Sequence, residues 1–459
     1  MKRPMPIVEP GHANNERERQ RVHSGRATLA VARKMVAHML AVELIRSKTR
    51  PPERVQESRA FQLTSNLDGG RSLNEPNGNG AFLWLPFQSR AGYPTLVCMI
   101  ENDVIENGQT VRVGLIGYGY AGKTFHAPLI RSVPGLALYV IGSSKGEILE
   151  AEHPGIVVCS AGEVPAHPNV DLVVVASPNE THFPLAAAAL RAGKDVVVDK
   201  PFTVTLAEAR SLAETAQRHN RILSVFHNRR WESEILATRA ILETAVLGEV
   251  IHYESRIDRF RPDVRRRWRE DPGPGAGLWF DLGPHLIDQA LYLFGIPQTV
   301  NANFGILRSG GRTDDWDHVQ LNYERLRVVL HASLLVSGGG ARSVLHGTRG
   351  SWAKYGSDVQ ERQLMSGMPP TDPQFGYDPD PGIHFDGETG MHTEIPAPAG
   401  NQREYYVGIR DAILGRRPVP VPLKYAIAGM AILETSFESG VRGQTLPIPL
   451  TAEERAEWK

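Results

Sequence analysis

Three side chains in this 459-residue sequence, Lys200, Asp281 and His285, have the chemistry needed to move a hydride and a proton together. A carbon that gains or loses hydride needs a partner for its hydroxyl proton and a positive charge near its oxygen. An imidazole can exchange the proton, and an ammonium group can stabilise the oxygen. Asp281 and His285 lie four residues apart, so a helix would place both on one face, where the carboxylate could hold the ring and raise its basicity.

Each of these residues also has a plainer explanation. Lys200 stands between a predicted strand and a predicted helix, where most lysines are simply solvated. Asp281 could cap a helix, and His285 could be a buried histidine with an ordinary hydrogen bond. A zinc site built from Asp281, His285 and Asp288 is the weakest interpretation, because no cysteine or further histidine stands at ligand spacing. We therefore predict no metal.

A glycine-rich segment follows the first predicted strand. The β-branched run Val111–Ile116 ends in a G-x-G-x-x-G pattern, and a helix is predicted over Lys123–Ser132. The first glycine permits a tight turn, the second lets a pyrophosphate approach the backbone, and the third lets the helix pack closely. The predicted cofactor contacts here are Gly117, Tyr118, Gly119, Tyr120, Ala121 and Gly122. The alternative is a glycine turn that binds nothing.

The residues after the second predicted strand, Leu136–Ile141, indicate which nicotinamide cofactor is used. Sites for NAD usually place an acidic residue at this point to hold the ribose 2′-hydroxyl. Here Ser143, Ser144 and Lys145 come first, and no acid occurs before Glu147. Two hydroxyls and a lysine suit a 2′-phosphate better, so we predict NADP(H), with NAD(H) as the alternative. Lys145 could also be a solvated turn residue.

Strands and helices alternate through the rest of this half. Asp171–Ala176, Asp195–Val198 and Ile222–Phe226 are apolar runs typical of strands in a parallel sheet, with helices predicted at Glu180–Ala192 and Thr205–His219. This βαβ winding predicts a dinucleotide-binding sheet, in which ligands bind at the carboxyl ends of the strands. Further residues at those ends are Ser177, Pro178, Asn179, Asp199 and Lys200.

Four motifs resemble the Gfo/Idh/MocA family of sugar and cyclitol oxidoreductases. They are GYGYAG (117–122), ASPNETH (176–182), DKP (199–201) and GLWFDLGPHLID (277–288). The resemblance implies that Lys200, Asp281 and His285 are catalytic and contact the substrate. The histidine would exchange the proton, the lysine would polarise the substrate oxygen and touch the cofactor, and the aspartate would orient substrate and histidine. Asp199 stands where the family usually has glutamate.

The resemblance extends to further site residues and to a substrate class. It places Asn179 and His182 near the cofactor and Asn228 at the domain junction, which completes the predicted cofactor set. The segments HNRRWESE (227–234) and ESRIDRFRPDVRRRWRE (254–270) resemble a subgroup that contains NADP-dependent scyllo-inositol dehydrogenases. We expect hydride transfer to or from a polyol, cyclitol or sugar, with scyllo-inositol and its 2-ketone first. An aldose or anhydro-ketose is one alternative, and a non-catalytic nucleotide-sensing protein is another.

The pattern changes in the second half of the chain, and we predict a domain boundary there. A dinucleotide-binding domain over 111–230 would be followed by a substrate-binding and oligomerisation α+β domain over 231–459. Strands are predicted at Ile251–Phe260, Thr299–Leu307, His318–Tyr323, Arg327–Val336 and Arg342–Gly347. They would form a large, open, mostly antiparallel sheet, one face of which would pack on a twin subunit in a homodimer or homotetramer.

Three other features of this half matter for the site. Gly356–Ala399 is rich in Pro, Gly and Asp and is predicted to be mostly loop. Helices are predicted at Asn401–Gly415 and Leu423–Glu438, and the family resemblance implies that the last one packs near the first domain. The stretch Arg259–Arg269 holds six arginines, which are usually solvated. A functional interpretation places Arg265 or Trp268 in the substrate pocket.

The first hundred residues differ from the rest in charge. Residues 1–98 contain fifteen Lys and Arg against eight Asp and Glu, whereas the whole chain is neutral. We expect 1–110 to be a poorly ordered extension, or sequence ahead of the true start at Met99; a basic arm for a partner is the alternative. The neutral total gives no reason to expect nucleic-acid or membrane binding, and no apolar run is long enough to span a bilayer. Two cysteines favour a reducing cytoplasm.

Overall fold

The β-branched run Val111–Ile116 forms the first strand, β1, of the computed structural model, which describes residues 109–458. The predictions for residues 1–108 lie outside the described residues. The other elements of the first half are a π-helical turn (Gly122–His126), α1 (Ala127–Arg131), β2 (Leu136–Gly142), α2 (Gly146–Glu152), β3 (Val157–Cys159), β4 (Leu172–Val175), α3 (His182–Arg191), β5 (Asp195–Val198), α4 (Leu206–Arg218), β6 (Leu223–Val225) and α5 (Ser233–Glu243).

The first six strands form one parallel sheet in the order β3-β2-β1-β4-β5-β6. The chain starts in the middle, winds outward through β3, and returns past β1 to build the other half. All four residues of β4 are fully buried, as expected for a strand with helices on both faces. The crossover places the carboxyl ends of β1 and β4 side by side, where a ligand can enter. The predicted Rossmann-type winding is confirmed.

The second half builds a larger sheet around a long helix. Its elements are β7 (Val250–Asp258), α6 (Leu278–Phe294), β8 (Thr299–Gly305), β9 (Trp316–Asn322), β10 (Arg327–Ser333), β11 (Ser343–Gly347), β12 (Gly350–Lys354), α7 (Gln360–Met365), β13 (Gly382–Asp386), β14 (His392–Ile395), α8 (Arg403–Ile413), α9 (Leu423–Arg442), β15 (Leu446–Pro447) and α10 (Ala452–Ala456). The nine strands are ordered β14-β13-β12-β11-β7-β10-β9-β8-β15. The sheet is mostly antiparallel, as predicted, but β7 and β10 pair in parallel.

The segment 356–399 is mostly loop, as predicted, although it also contains α7, β13 and β14. These two strands were not predicted, and neither was β12. β13 pairs with β12, and β14 pairs with β13. Strands of five and four residues are too short to show a clear alternation in the sequence.

Helices α6 and α9 connect the two sheets. Trp279 on α6 is fully buried, and Phe280 stacks on Phe437 of α9 with ring centroids 5.3 Å apart. Helix α9 also contacts a helix of the first domain. The Leu206 amide, at the start of α4, donates to Glu434 Oε1 of α9 at 2.8 Å. The implied packing of the last long helix near the first domain is confirmed. Within residues 109–458, no helix has the length and apolar character needed to cross a membrane.

Candidate active site

Lys200 lies directly after β5, at the carboxyl end of the parallel sheet. The peptide bond that joins it to Pro201 is cis. Its ammonium group donates to the Asp281 carbonyl oxygen at 2.6 Å and to Asp281 Oδ1 at 3.0 Å. Asp281 is in the first turn of α6. The contact therefore joins residues that are 81 positions apart and links the parallel sheet to a helix of the second half. The structure therefore brings the predicted lysine and aspartate together in one place.

The Asp281 carboxylate is held by two cations. Arg269 Nε lies 3.7 Å from Oδ1, the same oxygen that accepts from Lys200. Burial alone would raise the pKa of Asp281, but the charges of Lys200 and then Arg269 outweigh it and hold the pKa far below its usual range. The carboxylate is thus ionised throughout the physiological range and anchors the ammonium group.

His285 lies one turn after Asp281 on α6 and is buried. Its Nδ1 has no hydrogen-bond partner among residues 109–458. Burial, followed by the positive charges of Arg229 and Lys200, lowers the pKa of the ring well below its usual value. The imidazole is therefore neutral at pH 7 and able to accept a proton.

The expected contact between Asp281 and His285 is absent from the described part of the chain. The helical spacing does place both on one face, but the carboxylate is directed to Lys200. The prediction that it raises the basicity of the ring was wrong, because nearby cations lower the ring pKa instead. A buried histidine satisfied by an ordinary hydrogen bond is equally not what the structure has.

The three glycines of the G-x-G-x-x-G segment differ in what requires them. Gly117 has φ +97°, and a Cβ there would collide with the Ala176 carbonyl. A Cβ on Gly122 would collide with the Gly117 carbonyl, so the turn itself needs both residues. Around Gly119 a Cβ would meet nothing within 4 Å. The protein does not require glycine at that position, and the open space fits the close approach of a dinucleotide phosphate.

The side chains of the two tyrosines in the glycine segment, Tyr118 and Tyr120, bind carboxylates outside that segment. The Tyr118 hydroxyl donates to Glu152 Oε2 at 2.9 Å, and the Tyr120 hydroxyl donates to Glu361 Oε1 at 2.5 Å. Burial, together with the bond to Glu361, raises the pKa of Tyr120 to about 12. These residues, together with Ala121, can contribute backbone N–H groups to a phosphate.

The loop after β2 folds back toward the glycine segment. Lys145 Nζ donates to the Tyr118 carbonyl at 3.4 Å, and the Lys145 amide donates to Ser143 Oγ at 3.2 Å. Ser144 and Lys145 are exposed, and the first acid, Glu147, lies in the first turn of α2. The loop that often carries an acid for the ribose 2′-hydroxyl thus carries two serines and a lysine here.

The loop after β4 is tied to its neighbours by side chains that were predicted to touch cofactor. The two ring nitrogens of His182 face the Pro201 carbonyl at 2.9 Å and the Ser177 carbonyl at 3.0 Å. Asn179 Nδ2 donates to the Gly275 carbonyl at 3.1 Å. His182 thus braces two strand-end loops, and Asn179 links the first half to the loop before α6. Pro178 is exposed.

Three other predicted residues have these positions. Asp199 Oδ1 accepts from the Lys200 amide at 2.8 Å, and its other oxygen lies 3.9 Å from His126 Nε2. Asn228 is buried just after β6. Trp268 is 40% exposed, with the Arg269 guanidinium 4.6 Å above its ring. Arg269 and Asp281 line a cleft beside the start of α6, and Trp268 stands next to that cleft without lining it.

Comparisons with known proteins support one family over nearly all of the described chain. Residues 111–227 match the family model described as "Oxidoreductase family, NAD-binding Rossmann fold", and residues 239–450 match "Oxidoreductase family, C-terminal alpha/beta domain", both of the Gfo/Idh/MocA group. The chain belongs to the Gfo/Idh/MocA oxidoreductase family.

Similar proteins cover about three quarters of the chain. The uncharacterised oxidoreductase YdgJ of Escherichia coli is 48% identical over 73% of this chain and 98% of its own length. The scyllo-inositol 2-dehydrogenase (NADP(+)) IolW of Bacillus subtilis is 34% identical over 73% of this chain and 96% of its own length. A crystal structure from Klebsiella pneumoniae, described as that of an oxidoreductase, is 48% identical, with a TM-score of 0.72 over 76% of this chain and 98% of that one.

Several residues around the site of this Gfo/Idh/MocA protein were not predicted from the sequence. Arg230 binds Asp288 through two bonds of 2.9 and 2.6 Å, and His227 Nε2 lies 3.8 Å from the same carboxylate. Asp288 is therefore occupied by an arginine, which removes the interpretation as a zinc ligand. Residues 109–458 contain no group of three or more His, Cys, Asp or Glu side chains placed to hold a metal ion. Arg269 was visible only as one arginine among six, with no signal for its direction.

Proposed function

We propose that this protein is an NADP-dependent oxidoreductase that transfers hydride between the nicotinamide and a CH–OH carbon of a polyol, cyclitol or sugar. The observation that carries the proposal is the meeting of Lys200 from β5 with Asp281 of α6, one turn before the buried, neutral His285. This meeting occurs at the carboxyl end of the parallel sheet, where ligands bind in folds of this kind.

The residues present fit a dinucleotide. Gly117 and Gly122 supply the turn, and Gly119 leaves open space for a phosphate. Ser143, Ser144 and Lys145 would hold the 2′-phosphate, which is why we prefer NADP(H) to NAD(H). Ser177–Asn179 and Asn228 would complete the wall of the cofactor site. When bound, the nicotinamide donates or accepts the hydride.

The protein's own residues would handle the proton and the charge. The His285 ring is neutral and its Nδ1 is buried away from solvent. Nε2 is therefore the nitrogen that a substrate hydroxyl could reach. Lys200 would place its positive charge beside the substrate oxygen and stabilise the negative charge that develops there. Asp281 would hold the ammonium group in position, and the burial of both groups strengthens that attraction.

The substrate class rests on the family and on one relative. IolW is named as a scyllo-inositol 2-dehydrogenase, which supports scyllo-inositol and its 2-ketone as the first pair to assay. An aldose or an anhydro-ketose is the second candidate within the same reaction. A non-catalytic nucleotide-sensing protein is disfavoured, because such a protein would not need Lys200, Asp281 and His285 together.

Replacing Lys200 tests the proposal directly. We expect Lys200→Ala to lower kcat by on the order of a hundredfold or more, because the developing oxygen charge loses its stabilising cation. The affinity for NADPH, measured by fluorescence titration, should change far less. The matched control is Lys424→Ala, a partly exposed lysine on α9 whose ammonium donates to the Glu457 carbonyl. Unchanged turnover in Lys200→Ala would refute the catalytic assignment.

The assembly and location belong to the same proposal. One face of the nine-stranded sheet packs on α6, whereas the opposite face of β7 presents partly exposed polar residues, His252, Glu254 and Arg256. We propose that this face contacts a twin subunit in a homodimer or homotetramer, which light scattering on the purified protein would test. The low cysteine content favours a cytoplasmic location.

A further inference from the structure

His126 stands between the glycine segment and the strand end that carries Lys200. It is the last residue of the π-helical turn Gly122–His126, which begins at the last glycine of the segment. The imidazole is fully buried, and the ring of Phe226 lies beside it with the ring centroids 4.3 Å apart. Single π-helical turns are frequently found at functional sites. A buried imidazole at such a turn therefore calls for an explanation.

The two ring nitrogens of His126 face partners from different parts of the fold. Nδ1 lies 2.6 Å from the hydroxyl oxygen of Tyr406 on α8, which is a hydrogen-bond distance. Nε2 lies 3.9 Å from Asp199 Oδ2, and it has no hydrogen-bond partner among residues 109–458. Tyr406, His126 and Asp199 thus form a chain of polar side chains that ends one residue before Lys200.

The surroundings of the His126 ring favour one tautomer. Tyr406 is fully buried, and burial raises its pKa well above the usual value, so its hydroxyl is a neutral donor. When this hydroxyl donates to Nδ1, the ring proton lies on Nε2 and is directed to the Asp199 carboxylate. The bond that one ring nitrogen makes sets the chemistry of the other in this way.

Asp199 holds the catalytic candidate Lys200 through the backbone. Its Oδ1 accepts from the Lys200 amide at 2.8 Å, whereas Oδ2 faces His126. On the other side of the lysine, His182 Nδ1 lies 2.9 Å from the Pro201 carbonyl oxygen. Burial alone would raise the pKa of Asp199, but His126 and then Lys200 outweigh burial and hold the pKa below its usual value. The carboxylate is therefore charged and can accept from both sides.

We propose that His126 and Tyr406 are positioning residues for Lys200. They hold the Asp199 carboxylate, and Asp199 holds the backbone of Lys200, so that the ammonium group meets Asp281. This inference rests on the proposed function and adds two residues that act only through others. Packing accounts for the size of these buried side chains but not for the alignment of their polar atoms. The alignment matters because a displacement of about 1 Å at a reacting group can lower turnover about a hundredfold.

Two adjacent tyrosines on α8 provide a matched test. Tyr406→Phe removes only the hydroxyl that faces His126, whereas Tyr405→Phe removes an equally buried hydroxyl that donates to Ser224 Oγ at 3.1 Å. With scyllo-inositol and NADP⁺, we expect Tyr406→Phe to lower kcat about tenfold and Tyr405→Phe to leave it within about twofold. The dissociation constant for NADPH should stay nearly unchanged in both variants.

The pH dependence of kcat separates positioning from packing. In His126→Leu the carboxylate loses the neighbour that lowers its pKa most, so Asp199 takes up a proton at a higher pH than in the unaltered protein. The lower pH limit of activity should therefore move upward, whereas looser packing alone would lower kcat by the same factor at every pH. His126→Gln keeps a donor for the carboxylate and should recover part of the loss.

Other titratable groups around Asp199 are left in place by these variants. They are Lys200, His182, His227 and Tyr405, together with Tyr406 in the His126 variants. Since none of them is altered in His126→Leu, a shift of the pH profile reports on the contact between His126 and Asp199.

A second readout needs no substrate and examines Lys200 itself. Reductive methylation of the full chain, followed by mass spectrometry of its peptides, gives the rate at which each lysine reacts. We expect Lys200 to react about threefold or more faster in Tyr406→Phe, because an amine released from Asp281 is more accessible to the reagent. Lys424 on α9 should react at the same rate in both proteins.

Two results would overturn the proposal. One is a Tyr406→Phe protein that keeps both the kcat and the Lys200 labelling rate of the unaltered protein. The other is an equal loss of kcat in Tyr406→Phe and Tyr405→Phe with an unmoved pH profile in His126→Leu, which would assign these residues to packing alone. If the unaltered protein binds no NADPH or turns over no polyol or sugar, the proposed function fails, and the labelling rates still test the positioning of Lys200.

Discussion

The ionisable residues of the candidate site divide into an ion pair and a neutral base. Lys200 and Asp281 are charged and bound to each other, whereas His285 is neutral and keeps Nδ1 without a partner in the described chain. The pair and the ring respond to the same surroundings in opposite ways, because nearby cations favour a carboxylate and disfavour an imidazolium. Asp281 is therefore ionised and His285 neutral at pH 7.

The proposed preference for NADP(H) rests in part on one exposed side chain, Lys145. We expect Lys145→Asp to weaken NADPH relative to NADH by about tenfold or more, because the aspartate repels a 2′-phosphate and can accept from a 2′-hydroxyl. The ratio of dissociation constants for the two nucleotides measures the effect. Lys145→Arg keeps the charge and should retain the preference. If the ratio is the same in Lys145→Asp as in the unaltered protein, the 2′-phosphate assignment is wrong.

The start of helix α6 rests on two carboxyl groups from the β8–β9 connection and β9. The Trp279 amide donates to Asp314 Oδ2 at 2.6 Å, so Asp314 stabilises the first turn of the helix. Asp317 is fully buried, and neither of its oxygens finds a donor in the described chain. Two facing carboxyl groups both accept, and only a proton on one of them allows a bond between them. Burial, followed by the charge of Asp314, raises the pKa of Asp317 well above its usual range.

The buried Asp317 carboxyl group should make the stability of the folded protein depend on pH. Between about pH 4 and the raised pKa, the folded protein keeps a proton on Asp317 that the unfolded chain releases, so stability falls as the pH rises. Asp317→Asn removes that dependence. We expect the unfolding free energy of Asp317→Asn, relative to the unaltered protein, to rise with pH above about pH 4, by up to about 1.4 kcal/mol per pH unit, until the pH passes the raised pKa of Asp317.

Thermal unfolding monitored by circular dichroism across that pH range measures the difference. The matched control is Asp263→Asn, which removes an exposed carboxyl group of the arginine-rich loop. Its difference from the unaltered protein should stay nearly constant with pH. A constant or shrinking difference for Asp317→Asn would show that Asp317 is ionised in the folded state.

The region of the whole molecule that the family models match is nearly the same as the region that the structure describes. The two family models together span 111–450, and YdgJ matches over 98% of its own length within 73% of this chain. Both sheets, the glycine segment and the three catalytic candidates fall inside that region. The enzymatic machinery that we propose is therefore contained in the part of the chain after Met99.

Removing residues 1–98 tests whether they are needed. We expect a chain that begins at Met99 to keep the kcat, the KM and the melting temperature of the full chain, since every residue assigned to the site lies after it. Both forms are purified and assayed in parallel. An inactive or insoluble shortened protein would show that the extension contributes to folding or to the site.

The features of this protein that depend on neighbours along the chain could be predicted from the amino-acid sequence. Alternating apolar runs and helices predicted the parallel sheet, because periodicity and turn residues act over a few positions. The same reasoning placed Gly117–Gly122 at a strand end and Asp281 and His285 on one helix face. The strands β13 and β14 were not predicted, because five and four residues are too few to show a clear alternation and their pairing partners are set only in the folded sheet.

The tertiary structure decided which charges meet. Asp281 binds Lys200, 81 residues earlier in the chain, and leaves its helical neighbour His285 unbonded. It also placed Arg269 on Asp281. The physical reason is that ion pairing and desolvation depend on distances through space, and these exist only once both sheets have folded against α6.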